Sequence, residues 1–130
     1  MKTKEELSEF FKNDIFATDV GCVIDKIDNC GSVCSMPIAE KHKNARGAVM
    51  GGAIFTLADF AFAVTANANG IPTVSISANI IFMRQPKGTR LIATAQMKHN
   101  GRTTCAADVM ITDELGTNVA QVTVSGMHLA

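Results

Sequence analysis

The run GGAIFTLADFAFAVTAN, residues 51–67, constrains the fold of this chain more than any other segment. Its Ala, Leu and Phe content favours a helix, and the apolar residues fall on nearly every side of that helix. Such a helix must be covered on most sides by other parts of the chain. The Asn69-Gly70-Ile71-Pro72 sequence that follows places Gly and Pro where helices commonly end. Asp59 departs from this apolar pattern, because it places a carboxylate in the middle of the segment.

Strand patterns on both sides of this segment predict what covers the helix. After Pro72, four runs rich in β-branched and apolar residues predict strands, and turn-forming residues separate them: TVSISANIIFM, TRLIATAQMKH, TTCAADVMITD and NVAQVTVSGMHL. Upstream, VGCVIDKID and GSVCSMPI predict a hairpin that turns at Asp28-Asn29-Cys30-Gly31. The sequence therefore predicts an α+β fold in which an antiparallel sheet wraps around the central helix.

The N-terminal residues predict one short helix that packs on the rest. Thr3 and Glu6 have capping-box spacing, and Leu7, Phe10 and Phe11 then share one face of a helix expected to end near Asn13. At 130 residues the chain is expected to form one domain over 1–130, with 1–18 supplying this helix and a lead-in.

Charge and aromatic content argue against several classes of partner. Twelve basic and twelve acidic residues cancel, so no overall field favours a nucleic acid. Trp and Tyr are absent, which leaves few side chains to stack on exposed bases. Residues 48–66 approach the length of a membrane span, but a central Asp costs about 3 kcal/mol on insertion scales. We expect no nucleic-acid partner and no membrane partner.

Cysteine and histidine spacing gives no sign of a metal site. The cysteines contain no Cys-x-x-Cys pair and are interpreted as small buried thiols: Cys22, Cys30, Cys34 and Cys105. The histidines have no partner at metal or triad spacing and are interpreted as surface or strand-end residues: His42, His99 and His128. The N-terminus lacks the apolar core of an export signal, so we expect a reduced, cytoplasmic protein.

The loop and helix around Gly51 carry a specific motif. Asn44-x-x-Gly47-x-x-Met50-Gly51-Gly52 followed by Leu57-Ala58-Asp59 resembles the signature of hotdog-fold acyl-CoA thioesterases, particularly the phenylacetate-degradation (PaaI-type) branch. The family pattern is N-x-x-G-x-x-H-G-G, then L-A-D on the central helix. The resemblance runs from about Asp19 to the C-terminus and includes these further positions: Val74-Ser75, Asn79, Phe82, Pro86-x-Gly88, Asn100-Gly101-Arg102 and Ala120. It implies a hotdog fold and a thioester hydrolase with no cofactor beyond the coenzyme A of its substrate.

Met50 departs from the family pattern, which has His before Gly-Gly. In the family that histidine helps to position the loop or the substrate and is not the base, so hydrolysis is still implied. The departure leaves open an alternative, a non-catalytic hotdog protein that binds an acyl group or an acyl-CoA. A hotdog dehydratase is disfavoured, because it would require a catalytic histidine near the helix.

The resemblance assigns roles to four residues. Thioester hydrolysis needs an activated water or nucleophile and a donor for the developing oxyanion. The family match gives the donor role to the backbone N–H of Gly51, and the role of general base or nucleophile to Asp59. It has Asn44 orient the water or the carbonyl, and Ser75 support Asp59 or the water. An apolar surround is expected to raise the pKa of Asp59.

Each of these residues also has a purely structural interpretation. Asp59 would be a core carboxylate bonded within its helix, and Gly51 with Gly52 would only allow a tight helix start. Asn44 would satisfy its own loop backbone, and Ser75 would be an ordinary strand position. The functional interpretation gains because the residues occur together.

The spacing of the two central residues predicts a shared site. Gly51 and Asp59 are eight residues apart, which separates them by roughly 12 Å along one helix. One carbonyl carbon cannot contact both. If both serve one thioester, Gly51 of one chain must face Asp59 of another across a two-fold axis. We therefore expect a homodimer, and a homotetramer built from two such dimers.

Further residues are expected to contact the acyl-CoA substrate. Those predicted to bind it are Met50, Gly52, Phe82, Met83, Arg84, Lys87 and Arg90. The cations Lys41, Lys43 and Arg46 are additional candidates for the coenzyme A phosphates, and Phe55 and Phe62 for the acyl slot.

Overall fold

A computed structural model describes residues 1–129 and has three α-helices and six strands. The helices are α1 (Lys4–Phe11), α2 (Ile15–Asp19) and α3 (Gly51–Asn67). The strands are β1 (Val23–Ile27), β2 (Gly31–Pro37), β3 (Thr73–Phe82), β4 (Arg90–Asn100), β5 (Thr104–Asp113) and β6 (Asn118–His128). A 3₁₀ turn at Glu40–His42 interrupts the long loop before α3. The predicted elements are confirmed, whereas α2 and the 3₁₀ turn were not predicted.

All six strands form one antiparallel sheet in the order β1-β2-β4-β5-β6-β3. The predicted first turn is confirmed, because the Asp28 carboxylate accepts the backbone N–H groups of Cys30 and Gly31 at 2.8 and 3.0 Å. The sheet skips β3 between β2 and β4, so β3 reaches the far edge and pairs with β6. The α+β architecture expected from the sequence is confirmed.

Helix α3 packs against one face of this sheet and forms the centre of the core. More than half of its residues are buried: Ile54, Leu57, Ala58, Phe60, Ala61, Phe62, Val64, Thr65 and Ala66. One polar contact fixes the helix on the sheet, since Ser32 Oγ of β2 lies 2.9 Å from Thr65 Oγ1 and donates to Ala61 O at 3.2 Å. Satisfying these buried hydroxyls avoids a desolvation cost of about 1–3 kcal/mol per group.

Phe62 belongs to this core and not to a substrate slot, which corrects the sequence prediction. Its side chain is only 2% exposed, and its ring fills the space above Gly126 of β6. A Cβ on Gly126 would lie 2.8 Å from the Phe62 ring, so the absence of a side chain there lets the ring pack.

The N-terminal helix is capped as predicted and packs against β1 and the middle of α3. Thr3 Oγ1 accepts the Glu6 N–H at 3.1 Å, and Glu6 Oε1 accepts the Thr3 N–H at 2.9 Å. Phe11 is buried, and its ring meets Phe60 edge-on at 5.7 Å. The buried side chains of α1, Leu7 and Phe11, thus hold the start of the chain against the core.

The structure corrects the prediction for one cysteine. Cys22, Cys34 and Cys105 are buried thiols as expected, but Cys30 is exposed because it lies in the first turn and not within a strand. Among residues 1–129, none of the helices has the length and hydropathy that crossing a membrane requires.

Candidate active site

The N-terminus of α3 presents free backbone donors. Met50 is the N-cap, and its carbonyl accepts the N–H groups of Ala53 and Ile54, while its side chain makes no capping bond. The N–H groups of Gly51 and Gly52 have no hydrogen-bond partner within the described chain. They lie at the positive end of a seventeen-residue helix, where a developing negative charge is stabilised.

Phe82 lies directly against this helix start. A Cβ placed on Gly51 would be 3.0 Å from Phe82 Cζ and 3.3 Å from Cε1, closer than side chains normally pack. Phe82 ends β3 and its side chain is 52% exposed, so the ring forms an outer wall beside the Gly51 N–H. Gly51 thus has two physical reasons to lack a side chain: this ring, and the access to its N–H.

The loop that leads into α3 is shaped by Asn44. Its Oδ1 accepts the N–H groups of Arg46 and Ala48 at 3.0 and 3.1 Å, and its own N–H donates to Ala48 O at 2.8 Å. Gly47 completes the turn with a φ of +79°, a conformation that other residues rarely adopt. Asn44 therefore has the structural role that the sequence allowed as an alternative, and its proposed contact with water or substrate stays a prediction.

Gln85 holds the residue before the N-cap and was not identified from the sequence. Its Oε1 accepts the Val49 N–H at 2.8 Å, and its Nε2 donates to Val49 O at 3.2 Å. The side-chain amide thus bonds both backbone groups of Val49, as a neighbouring strand would. A glutamine in a turn has no distinguishing pattern, so only the fold reveals this contact. It fixes the backbone immediately before the free N–H groups.

His42 is buried, which corrects its interpretation as a surface residue. Its side chain is 3% exposed; Nδ1 accepts the Ala39 N–H at 2.8 Å, which leaves the proton on Nε2 to donate to Val20 O at 2.7 Å. The His42 backbone carbonyl accepts the Met50 N–H at 2.8 Å. His42 thus connects the end of α2, through its ring, to the start of α3, through its backbone carbonyl.

Asp59 lines a cavity of about 310 Å³ between α2 and α3. The lining residues are Asp14, Ile15, Phe16, Ala17, Phe55, Thr56, Asp59 and Phe60. The carboxylate reaches solvent at the cavity mouth, but the surrounding side chains remove part of its hydration. This desolvation, with a smaller contribution from the negative charge of Asp14, raises the pKa of Asp59, as the sequence predicted. Its oxygens make no hydrogen bond within residues 1–129, so the structure does not show the internally bonded carboxylate that was the alternative.

The structure places the other predicted site residues at two locations. Ser75 is exposed on β3, opposite Gly126, and β3 is an edge strand. Met83 and Arg84 follow β3, and both N–H groups donate to Val119 O. Their side chains are exposed, as is that of Lys87.

Two of the predicted cation positions carry contacts within the protein. The Arg90 guanidinium is half-buried and donates to Ser35 Oγ at 2.8 Å, so it is already used in the sheet. The backbone of the Lys87 turn is held by Asp113, which accepts the N–H groups of Lys87 and Gly88 at 2.7 and 2.9 Å. Burial alone would raise the pKa of Asp113, but these bonds and those from the β5–β6 turn hold it below its usual range.

In the loop before α3, Lys41 Nζ donates to Asp19 O at 2.9 Å, and Lys43 pairs with Glu40 at 3.1 Å. Arg46 is exposed. Whether any of these cations contacts coenzyme A stays a prediction.

Comparisons with known proteins agree with this geometry. Residues 46–120, which contain the α3 motif and most of the sheet, match the thioesterase superfamily, and the chain belongs to that family. Within it, the chain is similar to the acyl-coenzyme A thioesterase PaaI of Escherichia coli K12, at 32% identity over 92% of this chain and 86% of that protein.

Solved structures show the same fold. The E. coli PaaI protein from the phenylacetic acid degradation operon superimposes with a TM-score of 0.89 at 29% identity, covering 94% of this chain and 89% of that one. A hypothetical thioesterase from Streptococcus pneumoniae TIGR4, solved with coenzyme A, superimposes with a TM-score of 0.84 at 26% identity, covering 92% of this chain and 97% of that one. The chain is thus a PaaI-type member of the family with the hotdog fold that the motif implied.

Proposed function

We propose that this protein hydrolyses an acyl-CoA or aryl-acyl-CoA thioester to the free acid and coenzyme A. The observation that carries the proposal is the combination of free N–H groups at the α3 N-terminus with a partly desolvated Asp59 on the same helix. A thioesterase needs both an oxyanion donor and a base or nucleophile, and the PaaI-type relatives support this activity.

In this reaction the Gly51 N–H donates to the thioester carbonyl oxygen. As the carbonyl carbon becomes tetrahedral, negative charge develops on that oxygen at the positive end of α3. The missing Cβ of Gly51 allows the oxygen to approach to hydrogen-bond distance. Phe82 beside it excludes water from one side of the bond.

Asp59 supplies the second part of the chemistry by one of two routes. As a general base it takes a proton from a water that attacks the carbonyl carbon, and the carbon–sulfur bond then breaks to release the coenzyme A thiolate. As a nucleophile its oxygen attacks the carbon, the carbon–sulfur bond breaks to release the coenzyme A thiolate and leave a mixed anhydride, and water later hydrolyses that anhydride to the free acid and the Asp59 carboxylate. A raised pKa makes the Asp59 carboxylate a stronger base than an ordinary aspartate.

We propose that each site is shared between two copies of the chain. Gly51 is the first residue of α3 and Asp59 is its middle residue, so the two are too far apart to contact one carbonyl carbon. The edge strand β3 supports pairing with a second copy, because it exposes large apolar side chains at Val74, Ile76 and Ile81. A two-fold dimer brings Gly51 of one chain to Asp59 of its partner, and two dimers would give the expected tetramer.

Coenzyme A is the proposed leaving group. The S. pneumoniae relative was solved with coenzyme A, which supports the same thiol here. The exposed cations Arg84 and Lys87, which follow β3 near Phe82, are the proposed contacts for its phosphates.

A thiol-release assay over acetyl-, octanoyl- and phenylacetyl-CoA tests the activity. We expect release by the natural chain and a loss of at least about 10²-fold in kcat for Asp59→Asn, the usual range for removing a positioned base or nucleophile. Unchanged turnover in that variant would exclude the proposed role of Asp59. Tight acyl-CoA binding without turnover would instead support the non-catalytic alternative, which Met50 in place of the family histidine favours.

A mixing experiment tests the shared site. Neither Gly51→Ala nor Asp59→Asn chains should be active alone, but their heterodimer combines an intact Gly51 with an intact Asp59 at one of its two sites. Random reassortment of equal amounts should therefore restore about a quarter of the natural activity. Absence of recovery, with heterodimers demonstrated by native mass spectrometry, would show that each chain works alone.

A further inference from the structure

The backbone of Val49 is satisfied by a side chain and not by a neighbouring strand. Lys43 and Val49 form an isolated antiparallel bridge, whose two hydrogen bonds, each of 2.8 Å, join the residues on either side of this pair. In such a pair the N–H and C=O of Val49 point away from Lys43. Val49 is only 6% exposed, and in the described part of the chain no backbone group bonds its N–H or its C=O. Both bonds come from the amide of Gln85.

Gln85 itself stands on a turn that is anchored on both sides. Before it, Val119 O accepts two successive backbone N–H groups, at 2.8 and 3.3 Å. After it, the Asp113 carboxylate accepts two more, at 2.7 and 2.9 Å. These anchors belong to β5 and β6, so the turn moves only with the sheet. The same turn carries Arg84 and Lys87, the contacts proposed for the coenzyme A phosphates.

The bonds from Gln85 act two residues before the proposed oxyanion donor. The peptide groups that follow Val49 set the direction in which the free N–H of Gly51 points. Such a donor stabilises a developing charge only when it faces that charge within hydrogen-bond distance. A misplacement of about 1 Å at a reacting centre can cost on the order of 10²-fold in rate. A side chain that fixes Val49 therefore has a kinetic consequence at Gly51.

We propose that Gln85 is a positioning residue for thioester hydrolysis, which acts through Val49 to hold the Gly51 N–H in the direction of the carbonyl oxygen. The proposal rests on the proposed function and adds a residue to it. Gln85 transfers the position of an anchored turn to the start of α3. The contacts proposed for the leaving group and for the carbonyl thereby belong to one connected unit.

A split between kcat and KM provides the first test. Gln85→Met keeps the length of the side chain and removes both hydrogen bonds. We expect kcat to fall by about 10- to 100-fold, less than for complete loss of the donor, with KM within about threefold of the natural value. Gln96→Met is the matched control, since Gln96 is exposed on β4 and its side chain bonds only Lys98, at 3.2 Å. Its kcat should stay within about twofold of that of the natural chain.

A double-variant cycle identifies the route of the effect. If Gln85 acts through the Gly51 N–H, Gln85→Met should lower kcat by less than about threefold in a Gly51→Ala background, where the donor is already blocked. A side chain that only stabilises the fold, or only helps to bind coenzyme A, would lower activity by the same factor in both backgrounds.

Gln85→Glu provides a rescue by protonation. An ionised carboxylate accepts the Val49 N–H but repels Val49 O, whereas a protonated carboxyl accepts and donates as the amide does. The kcat of this variant, divided by that of the natural chain at the same pH, should therefore rise as the pH falls from about 7 towards about 4.3, the ordinary pKa of a glutamate. The corresponding ratio for Gln85→Met should stay constant over this range.

The outcomes separate the two proposals. Turnover by the natural chain with a loss confined to KM in Gln85→Met, or with equal losses of kcat in the two Gly51 backgrounds, would overturn the positioning role and leave the hydrolase standing. A pH-independent ratio for Gln85→Glu would do the same. Absence of turnover by the natural chain would overturn the hydrolase, and the positioning role with it.

Discussion

Replacing Gly51 by alanine separates the proposed catalytic role of this residue from its structural role. The added methyl group would lie 3.0 Å from Phe82 Cζ and 3.3 Å from Cε1, and its three nearest neighbours would all be atoms of that ring. The φ of Gly51 is not in the left-handed region, so alanine adopts it without strain. Because the Phe82 ring is half-exposed, it can move aside by a few tenths of an ångström. We therefore expect the substitution to change the free energy of unfolding by less than about 1 kcal/mol.

The expected effect on activity is much larger. In the proposed mechanism, the methyl group would occupy the space through which the carbonyl oxygen reaches the Gly51 N–H. Loss of one oxyanion donor costs about 10²–10³ in kcat, or about 3–4 kcal/mol of transition-state stabilisation. Steady-state thiol release and thermal unfolding of the same preparation measure the two effects side by side.

A double-variant comparison identifies the cause of that loss. If displacement of Phe82 were responsible, Gly51→Ala would have little effect in a Phe82→Ala background, where the ring is absent. If the blocked N–H is responsible, the loss persists there. Gly52→Ala gives a positional comparison, since its methyl group would meet only Met50 Cε, at 3.0 Å, the end of a flexible chain. A Gly51→Ala enzyme within about threefold of natural kcat would refute the oxyanion role.

Three further predictions follow from charge and burial. Because the pKa of Asp59 is raised, the acidic limb of the pH profile of kcat/KM should lie above about pH 4. Folding disfavours the charged form of Asp59, so the Asp59→Asn variant should have an equal or higher Tm near neutral pH. A lower Tm would contradict the raised pKa. The pKa of Asp113 is lowered in the folded protein, so its carboxylate stabilises the fold fully above about pH 4, and this stabilisation is lost as the pH falls. The Asp113→Asn variant should therefore have a lower Tm than the natural chain at pH 7. Below about pH 4 the Tm of the variant should depend less on pH than that of the natural chain. Only Cys30 should react with Ellman's reagent before unfolding, because burial raises the pKa of Cys22 and Cys34 to about 12; fast modification of two or more thiols would contradict the fold.

Much of the fold was predictable because local signals agreed with global burial. The capping box at Thr3, the all-round apolar helix at Gly51–Asn67 and the runs of β-branched residues each specify one element, and the structure contains all of them. The short helix α2 was missed because five residues give no periodicity. Its N-cap, Asp14, is a helix-start residue, but its side chain makes no capping bond.

The site was only partly predictable, for a different reason. The positions of Gly51 and Asp59 follow from a contiguous motif on one helix. The contacts of His42 and Gln85 join segments distant in sequence: His42 bonds a carbonyl twenty-two residues upstream, and Gln85 holds Val49, thirty-six residues before it. Sequence patterns do not indicate such contacts, because they depend on the tertiary structure. For the same reason, the sequence does not distinguish a buried histidine in a basic loop from a solvated one.

The position of β3 in the sheet has a consequence for the order of folding. Its one strand neighbour in the described chain is β6, and Thr73 pairs with His128 across fifty-five residues of sequence. Neighbours β4, β5 and β6 join through short turns and can assemble early, whereas β3 must wait for β6 before it has a partner. During synthesis from the N-terminus, Phe82 therefore reaches its place beside Gly51 only after β6 has emerged. Hydrolytic competence should be among the last properties a nascent chain acquires, and deletions within β6 should remove it even where α3 and the first hairpin still form.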